Sequence, residues 1–388
     1  RYDGVQLYDF KQNGGALVGS GLLSYVDTNG KLLSTDRTWE VIKNYNIGLD
    51  FGFLDNRLTG TAELFWKKCN NMLIDVTYPG TLGDKAPTAN RGSFKANGWE
   101  GTINWSDKIG EISYHLGGTF TYTTNKLVDN GGDAVIKSGV VSNREGYPLN
   151  SVFGLKYCGK IQTQDQLDKY INQYANGNNN IAMPGNLRLG DNMYEDVNKD
   201  GKLTEADYVY LGTDDPKVSF SFNAGLSWKG FDVSVIFQGA GKRTVWRGGE
   251  NNQKGKNDNW RIPMMSWYNN STNQSVGNVW SAETPNAHYP TYTHQTQINL
   301  YNYICSSWSV EDGAYLRLKN VTLGYTFPAN VLSKTKFISY ARIYVSGADL
   351  WENSKIKDGW DPEASRKVET FGRYPFTRNL TVGLNLTF

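Results

Sequence analysis

Segments that alternate apolar and polar residues recur along this chain, and the gaps between them are short and long in strict turn. That rhythm restricts the fold more than any single motif. The clearest segment sets Val218, Phe220, Phe222, Ala224, Leu226 and Trp228 against Ser219, Ser221, Asn223, Gly225 and Ser227. Successive side chains of a strand point to opposite faces, so one face is oily and the other wet. The same pattern covers Tyr45–Phe53, Leu58–Trp66, Trp99–Trp105, Ile112–Tyr122, Phe231–Phe237, Leu316–Phe327, Ile343–Val345 and Leu380–Phe388, nine strands in all. Phe65 breaks the alternation, and a change of parity near Asn320 predicts a β-bulge, because one extra residue flips the facing. Short gaps fall at 54–56, 106–110, 229–230 and 328–336; long polar ones at about 77–95, 129–216, 244–313 and 351–376. A sandwich gives no reason for every long connection to lie at one end. A membrane barrel does, with tight turns on one side and long outer loops on the other. Trp66, Trp99, Trp105, Trp228, Tyr122 and Tyr325 stand near strand ends, where aromatic girdles lie.

Composition agrees with this reading. The 388 residues carry a net charge of +2, which gives nucleic acid no handle, and 13% are aromatic. No stretch approaches the ~18 apolar residues of a membrane helix, a test that barrel strands escape. Cys69, Cys158 and Cys305 are odd in number and far apart, and suggest neither a disulfide framework nor a thiolate metal site. The chain begins at Arg1 without a methionine or signal peptide, which suggests a processed or truncated product. Counting strand directions back from the last strand makes the segment 38–54 run the same way, so at least one upstream strand is missing. The expected fold is therefore all-β, the C-terminal portion of an antiparallel transmembrane β-barrel with long extracellular loops. By the same count Val152–Lys160 belongs to loop structure or has an unseen partner.

Several blocks resemble the SusC/RagA family of TonB-dependent outer-membrane transporters. They are NIGLDFGFLDNRLTG (46–60), NGWEGTINW (97–105), GDNMYEDVNKDGKLTEAD (190–207), SWKGFDVSVIFQG (227–239), YLRLKNVTLGYTFP (315–328) and RYPFTRNLTVGLNLTF (373–388). They keep the family's order over nearly the whole chain. The resemblance implies a 22-stranded barrel in a Gram-negative, Bacteroidetes-like outer membrane. It also implies a plug domain and TonB contact outside this chain, a SusD-like surface lipoprotein as partner, and import of oligosaccharides or peptides.

Within the 129–216 loop region, residues 196–207 have the spacing of a calcium loop. Asp196, Asn198 and Asp200 supply oxygens at positions 1, 3 and 5, Gly201 allows the sharp turn, Lys202 offers its carbonyl, and Asp207 closes position 12. The expected cofactor is a divalent cation, calcium, acting as a staple for an external loop. An Asx- and Gly-rich turn held by its own hydrogen bonds is the alternative. The large loop 244–313 carries Trp246, Trp260, Trp267, Tyr268, Trp280, Tyr289 and Tyr292 among amides and hydroxyls. Flat rings beside polar groups are the make-up of a ligand site, and sugars would stack there. The same rings would also serve to fold the loop or to pack on a partner lipoprotein.

Catalysis finds no foothold. His115, His288 and His294 lack metal spacing, His115 is expected to face the lumen, and no nucleophile-elbow, Walker or dinucleotide motif stands in a strand–helix setting. Asp50, Glu63, Glu100, Arg317 and Lys319 are expected on the wet face. Two other classes compete with active import: a passive porin-like channel, and a secreted, calcium-stapled β-sandwich that binds glycans.

Overall fold

The computed structural model describes residues 7–11, 17–18, 21–22, 24–29, 37–75, 88–131, 141–174, 186–246, 264–265, 270–271, 277–293, 295–335, 337–356, 361–363 and 377–388. Nine strands form one antiparallel sheet in chain order: β1 (Val41–Phe53), β2 (Leu58–Asp75), β3 (Thr88–Ile109), β4 (Ile112–Asn130), β5 (Val218–Trp228), β6 (Phe231–Ala240), β7 (Tyr315–Thr326), β8 (Tyr340–Ser354) and β9 (Asn379–Thr387). These are the nine that alternation marks. Upstream of β1, Tyr25–Asn29 pairs with Leu7–Lys11 and does not join this sheet.

Register carries an oily row across the first five strands. Ile47 pairs with Leu64, Leu64 with Trp99, Trp99 with Tyr122, and Tyr122 with Val218. The opposite row holds Gly48, Glu63, Glu100, Thr121 and Ser219. Phe65 lies on this wet face, where its ring covers Gly98 and takes the space a Cβ would occupy. His115 likewise covers Gly225 on the wet face. The predicted bulge is present: Ile236 pairs with Asn320 and Phe237 with Leu318, so Lys319 is the extra residue. The facing strand β8 adapts with Asp349 at φ 57°, and its carboxylate lies 3.2 Å from Lys319 Nζ.

One tight connection, that between β3 and β4, is shorter than the sequence suggests, and the one between β5 and β6 is as expected. Gly110–Glu111 alone separates β3 from β4, and Lys229–Gly230, with φ 48° and 88°, separates β5 from β6. Positive φ at both central residues gives the turn whose twist matches a hairpin. All four long connections leave and rejoin the sheet at the opposite end. The first of them is shorter than expected, because β2 runs to Asp75 and β3 begins at Thr88. Those extensions do not alternate: Met72, Leu73 and Ile74 are consecutive apolar residues, and Thr88–Lys95 is mostly polar, so periodicity does not mark them. Pairing does: Asn90 Nδ2 donates to the Asn71 carbonyl at 2.7 Å and to the Thr38 carbonyl at 2.9 Å.

Candidate functional site

Above the long-connection end, segments between β4 and β5 fold together with segments between β6 and β7. From the first come the short strands Ser151–Gly154 and Tyr157–Lys160, helix α1 (Gln164–Tyr174), and the strands Asn192–Tyr194 and Val209–Thr213. From the second comes helix α2 (Thr296–Asn302). Helix α1 begins beside Thr163, whose Oγ1 accepts from Gln166 N at 3.3 Å. It buries Leu167, Tyr170 and Tyr174, the three- and four-residue spacing of one helix face. These side chains join Phe153, Leu155, Ile161, Leu187, Tyr194, Leu203, Tyr208 and Tyr301 in one core. Val152–Lys160 is thus loop structure, the first of the two options the strand count left open, and is ordered around its own apolar centre.

The two connections are stitched by polar groups that the core shields from water. Leu155 N donates to the Cys305 carbonyl at 2.9 Å, and Ser307 N returns a bond to the Leu155 carbonyl at 3.0 Å. Gly154 is required here, since a Cβ would strike the Cys305 carbonyl. Asn302 accepts from Asn192 N on its side-chain oxygen (2.8 Å), and its amide donates to Asp191 Oδ1 (2.8 Å). Asp191 Oδ2 accepts from Arg188 N at 2.8 Å. Burial pushes the Asp191 carboxyl above the usual carboxylate range despite these donors. The hydroxyls of Tyr170 and Tyr301 bond at 2.7 Å, and burial drives both phenols up, as it does that of Tyr194. Tyr174 is pushed up to about 12 by burial. Paired, desolvated polar groups of this kind fix one arrangement of a core.

The rings expected to meet ligand fall into different environments. Trp246 is 2% exposed and packs with Val152 and Cys305, leaving no ring face for a ligand; it serves the core. Trp280 lies across Gly190, held at φ 85°, and its Nε1 donates to Gln162 Oε1 at 2.8 Å. Tyr289 is half-buried, edge-on to His288 at 4.8 Å. Tyr292 is 44% exposed and presents the most open ring of the four. Trp260, Trp267 and Tyr268 lie outside the described residues. A cluster that sequence reasoning passed over gathers Trp308 against His288 (5.2 Å), Tyr303 (5.5 Å) and Tyr157 (6.3 Å). Tyr157 comes from the other connection, so no spacing along the chain could announce it.

In the 196–207 loop every proposed side-chain donor already accepts backbone N–H groups. Asp196 Oδ2 accepts from Gly201 N (2.8 Å) and Asn198 Oδ1 from Asp200 N (2.9 Å). Asp200 Oδ1 accepts from Lys202 N (2.8 Å). Buried Asp207 accepts from Val197 N on one oxygen (2.9 Å) and from Thr204 N on the other (2.8 Å). The donor set is all oxygen and suits a hard cation. Among the described residues, however, no three acidic, His or Cys side chains converge as a metal group.

On the wet face near the outer end, Arg317 is 1% exposed. It meets Glu352, Asp361 (2.7 Å) and Glu363 (3.1 Å), while Lys319 Nζ reaches Glu363 at 3.1 Å. Arg243 adds a bond to the Pro362 carbonyl at 3.0 Å. Residues 361–363 of the last long connection are therefore strapped to the wall by three cations.

Among curated proteins, a TonB-dependent receptor of Formosa agariphila (P26) is 27% identical over 93% of this chain. The TonB-dependent receptor SusC of Bacteroides thetaiotaomicron is 23% identical over 94%. Over more than nine-tenths of its length the chain resembles the SusC/RagA family of TonB-dependent outer-membrane receptors. It spans about a third of the length of those relatives, 36% of the first and 33% of the second. No family model matches. The fold of the RagAB peptide importer in its open-open state covers all of this chain and 38% of its own, with a TM-score of 0.74 at 19% identity. The nine strands therefore share the fold of that importer's barrel wall, with one oily and one wet face.

Proposed function

We propose that this chain forms wall and outer cap of an active importer of oligosaccharides or peptides, driven through TonB and working with a SusD-like surface lipoprotein. The observation that carries the proposal is the cap itself. Two connections far apart in sequence share one core directly over a polar-lined wall, an arrangement suited to admitting cargo selectively. The SusC and TonB-dependent receptor relatives support the energy source and the partner, and the likeness to a peptide importer keeps peptides beside glycans as cargo. The test is uptake of labelled glycan and peptide panels by cells carrying the intact protein, with and without TonB. Uptake of one panel that vanishes without TonB is the expected result. Equal uptake in both strains would instead establish the passive channel.

The 196–207 loop is proposed to hold calcium through Asp196, Asn198, Asp200 and Asp207 side chains and the Lys202 carbonyl. The cation would exchange backbone donors for metal–oxygen bonds and staple the loop to Leu203, whose side chain is fully buried in the cap core. Calcium is expected to protect this loop of the intact protein from protease, and Asp196→Ala with Asp200→Ala to abolish that protection. Identical cleavage with calcium and with chelator would leave only the hydrogen-bonded turn.

A further inference from the structure

Four lysines stand side by side on the outer face of the wall. Lys43 of β1 pairs in register with Lys68 of β2, Lys68 with Lys95 of β3, and Lys95 with Lys126 of β4. Directly paired residues share a face, and strand parity places all four on the oily one: Lys43 is two residues from Tyr45, Lys68 two from Trp66, and Lys95 four from Trp99. All four are exposed. The row lies on the long-connection side of these rings, about 7 Å beyond Tyr45 and Trp66 at the usual rise per residue. Three inter-strand steps make it roughly 14 Å wide.

Like charges directly opposite one another destabilise a strand pair, and here that arrangement is repeated three times in succession. The row below it on this face, Tyr45, Trp66, Asn97 and Thr124, carries no carboxylate. A cavity of about 290 Å³ opens beside the row, lined by Lys95, Lys126, Val128, Glu145 and Gly146, where Glu145 is the one acidic lining residue. A cationic row that continues a lipid-facing surface, just past its aromatic girdle, is at headgroup height. Lysine stems reach along apolar surface while their ammonium groups stay in the polar layer.

We propose that Lys43, Lys68, Lys95 and Lys126 form a binding site for the phosphorylated headgroup of an outer-leaflet glycolipid. The site rests on the outer-membrane reading of the barrel and adds a specific lipid to it. Phosphate oxygens spread over the row would neutralise the repulsion between paired lysines, and the cavity beside Lys95 and Lys126 would accept the sugar that bears them. The bound lipid would in turn pin β1–β4, of which β4 leads into the cap.

The test uses the intact protein in nanodiscs doped with phosphorylated lipid A or with the same lipid after phosphatase treatment, read by native mass spectrometry after delipidation. The parent should retain the phosphorylated lipid at least about tenfold better than the Lys43→Gln/Lys68→Gln/Lys95→Gln/Lys126→Gln variant, since each basic residue near an anionic surface adds to binding. Retention should fall with added salt. Changing all four to Arg should preserve it. Heat-modifiable migration in SDS gels confirms that each variant is a folded barrel, and the Lys95→Gln/Lys126→Gln pair serves if the quadruple does not fold. Equal retention by parent and Gln variants, or equal retention of both lipids, would overturn the proposal. So would a Gln variant that keeps the lipid and loses only an acidic protein partner. A parent that fails to fractionate with outer membrane would overturn the membrane reading as well, and is seen separately from lipid retention.

Discussion

Phe153→Ala is expected to loosen both connections of the cap at once, although the substitution sits in only one of them. The Phe153 ring is 2% exposed, edge-on to Tyr147 at 5.2 Å and Tyr210 at 5.8 Å, with the Arg144 guanidinium 4.0 Å from its centroid. Removing a fully buried Phe costs about 3–5 kcal/mol, a sum of lost transfer energy and the cavity left behind. The next residues transmit the loss, because Gly154 abuts Cys305 and Leu155 trades backbone bonds with Cys305 and Ser307. Hydrogen exchange on the intact protein should therefore rise in 151–174 and in 296–310 together, while β5 and β6 stay protected. Phe153→Leu should show a smaller, parallel effect. Faster exchange confined to 151–174, with α2 unchanged, would show that the two connections fold independently.

That coupling marks the boundary of what the sequence disclosed. Alternation located all nine strands, since a face in lipid and a face in water impose a period of two on any sequence that meets both. It predicted a bulge near Asn320, where the parity of Leu316–Leu318 fails to match that of Val321–Phe327, and the extra residue is the adjacent Lys319. It did not mark Thr88–Lys95, because that stretch leaves the bilayer and nothing there selects for alternation. Among the aromatic residues, the fate of each ring depends on partners far away in sequence. Trp246 is sealed by Val152, and Trp308 meets Tyr157, contacts that no local pattern records. Legibility was partial for the charges too. Arg317 could be assigned to the wet face from its neighbours, but nothing in the spacing joined it to Asp361 and Glu363, 44 and 46 residues further on.

Those two partners make Arg317 the position where a single change should have the other large effect. A guanidinium is a planar fork of donors and can satisfy several carboxylates at once. Here it is enclosed among three, with side-chain exposures of 19% for Glu352, 33% for Asp361 and 26% for Glu363. Arg317→Ala leaves that acidic group facing Lys319 alone. Breaking a buried pair costs about 3–5 kcal/mol, and the partial solvent access of the carboxylates argues for about 3 here. The loss should be local: hydrogen exchange should rise through 361–363 and the outer ends of β7 and β8, with the β5–β6 hairpin unaffected. Arg317→Lys should recover only part, because one ammonium cannot reach all three acids. Adding Glu363→Gln to Arg317→Ala should restore some protection, since it removes one of the stranded charges, and the two effects should fail to add by about 1 kcal/mol or more. Strict additivity, or exchange at 361–363 equal to that of the parent, would mean that the strap is held by Lys319 and Arg243 and that the enclosed guanidinium is dispensable.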